Sequence, residues 1–166
     1  MDSLYNWVVF VHIAGAFTFA VAHGASAAVA LRLRQERELP RVQAFLDLSQ
    51  IATGGMYLGL VVLLLGGVIA AFMAGLWGRG WIWTALFLLV LLIAYMYVRA
   101  SSYYGDLRRA AGQPYFDMRA RTGMPAGSPN TAELNTVLAS SRPVEIAAVG
   151  GLGLLVIIWL MVLKPF

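Results

Sequence analysis

The chain has 166 residues, 60% of them apolar and only 12% charged, with a formal net charge of +4 and no cysteine. Such a composition cannot cover a soluble core with polar surface, so an integral membrane protein is expected. The lack of cysteine excludes disulfides, thiolate metal sites, iron–sulfur ligation and cysteine nucleophiles.

Apolar stretches at residues 5–31, 52–76, 81–98 and 144–163 are each long enough to cross a hydrocarbon layer of about 30 Å as a helix of about 20 residues. The expected fold is all-α: a polytopic membrane protein, a four-transmembrane-helix bundle of one domain (1–166), with both termini outside and connecting loops at 32–51 and 99–142. The opening residues MDSLYNW carry no basic leader and no small-residue cleavage site, so the first stretch reads as a retained helix.

That first stretch, Trp7 to Leu31, holds both histidines of the chain, His12 and His23. Their spacing is close to three helical turns, which sets the imidazoles about 20° apart in azimuth and about 16 Å apart along the axis. Gly15, Ala16, Phe19, Ser26, Ala27 and Ala30 continue the same face. Its mostly small side chains would let either a flat cofactor or another helix come close. Ionisable groups at membrane depth usually mark a site.

The span stops at Arg32, and a charged connection runs to Pro40. Val42, Phe45 and Leu46 then begin an amphipathic lead-in, so the second helix is expected to protrude from the membrane. Within it, Gly55 and Gly59 form a GxxxG pair suited to seating a neighbouring backbone. Trp77, Trp81 and Trp83 mark a short interfacial connection to the third helix, which continues past Val98 until Gly112 and Pro114 break it. Tyr95, Tyr97, Tyr103 and Tyr104 read as interfacial anchors. Beyond them Asn130 and Glu133 have capping-box spacing, which predicts a short helix lying on the membrane surface and open to a soluble partner. The last span starts at Arg142 and Pro143, with Glu145 at its inner end.

Arg32, Arg34, Arg37, Arg41, Arg99, Arg108, Arg109, Arg119, Arg121 and Arg142 flank the two longer loops, whereas Arg79 and Lys164 flank the other side. The positive-inside rule therefore makes the longer loops cytoplasmic. The same distribution accounts for the basic balance through topology and anionic headgroups, so no nucleic-acid partner is implied.

No phosphate-binding glycine loop, H-E-x-x-H, nucleophile elbow or carboxylate pair within a span is present, and no catalytic activity of its own is expected. Ser26 lies within one turn of His23 but has no buried acid to complete a triad. The histidines do fit axial ligation of haem b, in which a neutral imidazole binds iron in an apolar slot. With two haems stacked through the membrane, one near His12 and one near His23, one chain cannot supply two histidine ligands to each. The second ligand would come from another copy through a homodimer or larger membrane complex formed on the first helix, or from Met56, Met73 or Met96.

Phe10-Val11-His12-Ile13-Ala14-Gly15, opening the first of four spans, resembles the start of copper-resistance-D-like and HemJ-like bacterial membrane proteins and of related predicted integral membrane proteins. The resemblance implies a multi-pass protein of the bacterial cytoplasmic (inner) membrane, with haem or porphyrin chemistry at His12; His23 lies outside the matching residues. The expectation is a b-type haem-binding membrane redox or electron-transfer protein. The alternative is a non-catalytic accessory or assembly subunit whose histidines hydrogen-bond between packed helices.

Overall fold

The computed structural model describes residues 2–166. Its long helices are α1 (Asp2–Leu33), α2 (Leu39–Met73), α3 (Gly80–Ala110) and α5 (Arg142–Leu163), with a short α4 (Thr131–Leu138) before the last. Four helices are long and apolar enough to cross a membrane, giving the all-α membrane bundle that the composition requires.

The connection between α1 and α2 is far shorter than 32–51. The helix restarts at Leu39, with Pro40 in its first turn, where a missing N–H costs nothing. At 35 residues α2 is roughly 52 Å long, well beyond the hydrocarbon thickness, so its first turns stand outside. The reason is packing. Val42 and Leu46 bury their apolar face against Leu33, Tyr103 and Leu107, which holds the amphipathic lead-in as helix. The turn is closed by the Glu36 carboxylate, which accepts the N–H groups of Arg37 (2.9 Å) and Glu38 (3.1 Å). Those two bonds hold Glu36 below the usual carboxylate pKa range.

At the other end, Gly75 takes a left-handed conformation (φ 64°) and a 3-10 turn, Leu76–Gly78, leads into α3. The tryptophans gather here. The Trp83 indole donates to the Trp77 carbonyl at 2.9 Å, and the Trp81 N–H reaches the Phe166 carbonyl at 3.3 Å. Hence the chain's end, the α2–α3 connection and the start of α1 share one end of the bundle, the tryptophan end. Most arginines lie at the opposite, basic end.

Residues 99–142 are more structured than a loop. The first dozen continue α3, and Tyr115–Asp117 pairs antiparallel with Thr122–Met124 as a small hairpin. Asn130 caps α4 as its spacing predicts, its Oδ1 accepting the Glu133 N–H at 3.1 Å. The reciprocal half of the box is absent because Glu133 turns to Arg109 instead. The expected surface helix is corrected too: Leu134 (4% exposed) and Leu138 (1%) are buried in the core of the basic end, so the apolar face of α4 is covered within the protein.

The bundle is built from two pairs. Between α1 and α2 the backbones touch. A Cβ on Gly15 would stand 2.5 Å from the Leu63 nitrogen, and one on Gly59 would stand 2.5 Å from the Phe19 nitrogen. Small residues thus allow the close approach on which helix association in lipid depends. The pair α3 and α5 is joined by packing and by Glu145, which accepts from the Tyr95 hydroxyl (2.6 Å) and the Arg99 guanidinium (2.7 Å). By contrast α2 and α3 scarcely meet along their lengths.

Candidate cofactor cavity and the two histidines

The two histidines face different neighbours. His12 packs into the α1–α2 contact, where its Nδ1 lies 2.8 Å from the Leu63 carbonyl. A carbonyl can only accept, so Nδ1 carries a proton and is the donor. That carbonyl is within reach because the residue one turn on is Gly67, at which a Cβ would stand 2.9 Å from the His12 ring. Gly66 likewise seats the His12 backbone. His12 Nε2 is not enclosed within the chain. The small-residue stripe of α1 is therefore largely the seat of α2.

His23 lies in a cavity of about 320 Å³ lined by all four long helices. Its ring stacks on Phe19, with centroids 6.2 Å apart and planes 12° apart. Its Nε2 is buried and has no hydrogen-bond partner. The α5 wall at this point is Gly150, where a Cβ would fall on the His23 ring and on the Met96 methyl group. Met96 and His23 consequently approach one spot from α3 and α1, and the missing side chain of Gly150 makes the room. Leaving such a nitrogen unpaired costs about 1–3 kcal/mol, which a partner atom in the cavity would recover.

Some of the other polar groups of the cavity are engaged, whereas the Tyr103 hydroxyl is buried without a partner. Ser26 and Tyr104 bond each other at 3.1 Å, and the Tyr104 hydroxyl also donates to the Ser26 carbonyl at 2.9 Å. Thr53 donates to the Ser49 carbonyl at 2.9 Å. Arg108 stands at the basic end of the lining, the sole charged side chain there, donating to the Leu46 carbonyl at 2.7 Å. Between α2 and α3 the lining includes Tyr57 and Tyr97, 57% and 53% exposed, so the cavity opens sideways toward the lipid.

Chemically the cavity offers one imidazole nitrogen, the thioethers Met56 and Met96, and a guanidinium. No group of three His, Cys, Asp or Glu side chains able to hold a metal ion converges among the described residues. A metal already held in a macrocycle needs only one or two axial donors. His12 and His23 are not brought to one site. Gly150 and Arg108 were missed as site residues by sequence reasoning. Arg108 reads as one of many topological arginines, and nothing in the sequence of α5 says which of its several glycines faces a ring on α1. No family model matches the chain, and neither a curated protein nor a solved structure matches it.

Proposed function

We propose that this is a membrane redox protein that holds a b-type haem in the cavity, with His23 Nε2 as its axial ligand. The observation that carries the reading is that buried nitrogen, left without a hydrogen-bond partner in a ring that lines the cavity. Met96 supplies a second donor beside His23, and Arg108, already paired with Asp47 at 3.4 Å, is the cation at the basic end of the lining. When bound, the group would supply one-electron chemistry. The chain's share is to exclude water, orient the imidazole by stacking on Phe19 and admit the macrocycle through the gap between α2 and α3.

In this reading the protein sits in the bacterial cytoplasmic membrane with its basic end in the cytoplasm and both termini outside. A homodimer or a larger complex would have to reach His12 past α2, at the unenclosed Nε2. For His12 itself the hydrogen bond to Leu63 favours the second reading, a packing role of the kind an accessory subunit needs.

The test is a reduced-minus-oxidised absorption spectrum of protein made with adequate haem supply and purified in mild detergent. Bands of the b type are expected, lost in His23→Ala and retained in His12→Ala. A spectrum without such bands overturns the haem reading.

A further inference from the structure

We infer that the basic end carries a phospholipid headgroup site where the α1–α2 turn meets the end of α4, independent of the histidine cavity. A pocket there is lined by Leu31, Arg34, Gln35, Arg37, Leu138 and Ala139, and it contains no carboxylate. Among the described residues neither Arg34 nor Arg37 forms a salt bridge, although Arg41, Arg99, Arg108, Arg109 and Arg142 all do. Glu36, the acid nearest in sequence, lies in a different pocket and is engaged by its own turn.

Two donors beside the pocket lack acceptors. Arg34 Nε is buried and unpaired, and so is Ser140 Oγ, next after Ala139. Arg37 curls over the turn, its Nη1 donating to the carbonyls of Arg34 (2.9 Å) and Glu36 (2.7 Å), so the turn is held rigidly beside the pocket. Unpaired donors without a carboxylate call for an anion with several acceptor oxygens, which a phosphate supplies. Leu31, 40% exposed on the same wall, extends the pocket into the apolar outer surface of α1. That continuity selects a phosphate carrying acyl chains over a soluble one. Basic pockets near the cytoplasmic ends of spans are suited to such headgroups.

Thermal unfolding of the full chain in nanodiscs tests the site, comparing phosphatidylglycerol with phosphatidylcholine, together with inorganic phosphate added to the phosphatidylcholine discs. Phosphatidylglycerol should raise the midpoint by several degrees. The rise should vanish in Arg34→Gln, shrink in charge-preserving Arg34→Lys and persist in Arg119→Gln. Phospholipid retained after gentle purification, measured as phosphorus per chain, should fall in the same order, which covers a Gln variant that folds poorly. An equal loss in Arg34→Gln and Arg119→Gln would reduce the effect to diffuse charge and overturn the site. An equal rise with inorganic phosphate would overturn the lipid assignment.

Discussion

His12 and His23 are the same residue on the same stripe of one helix, yet one is satisfied and the other is not. What differs is the wall each meets. At His12 the wall is α2, pressed so close by its glycines that a helical carbonyl becomes an acceptor for Nδ1. At His23 the wall is α5, farther from α1, and Gly150 there removes a side chain without bringing an acceptor. A glycine opposite a histidine therefore brings a backbone acceptor where helices touch, and only makes room for the ring where they do not.

The comparison breaks most severely if the α1–α2 contact is opened. Gly59→Val would drive a side chain into the Phe19 backbone, which cannot yield as a flexible side chain would. The cost should reach or exceed the upper end of the ~1–3 kcal/mol typical of overpacking. Denaturant unfolding in detergent micelles should show it as a lost or strongly lowered transition.

Next in size is His23→Leu. In haem-free protein the substitution removes a buried unpaired nitrogen and fills apolar space, so it should stabilise by up to about 1–3 kcal/mol while abolishing haem binding. A destabilised variant would mean that His23 has a partner within the chain. His12→Leu should move the opposite way. It deletes an interhelical hydrogen bond worth about 0.6–1.7 kcal/mol in a membrane protein, and Leu63 keeps its acceptor role within α2, so the loss is no larger. The opposed signs of the two leucine variants, read by the same unfolding assay, are the sharpest check on the comparison.

How far the sequence reveals this contrast follows from what sets each feature. The four helices were legible because run length and hydropathy are local, and the shared stripe of His12 and His23 was legible because helical geometry is fixed. The GxxxG pair at Gly55 and Gly59 was likewise readable as a seat for a neighbour, but not which neighbour. Which helix faces each histidine depends on pairing between spans, and hydrophobic periodicity is nearly uninformative where every face meets either lipid or protein. The amphipathic start of α2 was legible in the helical spacing of Val42 and Leu46, which with Ser49 form one buried stripe. The hairpin at Tyr115–Asp117 and Thr122–Met124 is too short to leave a pattern, and its turn depends on the Asp117 carboxylate accepting the N–H groups of Arg119 and Ala120.

The smallest expected effect lies at the turn that closes the α1–α2 pair bridged by His12. Glu36 accepts two backbone N–H groups there and is only 7% exposed. Its pKa is held below the ordinary value, first by the bond from Glu38 and then by that from Arg37. A carboxylate shifted down in the folded state contributes stability that is present above its unfolded pKa of about 4.3 and is lost as pH falls through the lower folded value. Stability should therefore decline with acidification in that window, and Glu36→Gln should flatten the decline. Asp117, held low by its own turn bonds, acts in the same direction. Asp117→Asn should change the acid limb less, because its hairpin closes no helix pair. Unfolding midpoints measured against pH for the three proteins decide the matter. Parallel curves for the parent chain and Glu36→Gln would show that the turn contributes nothing through its charge, leaving the α1–α2 pair to its glycines and His12.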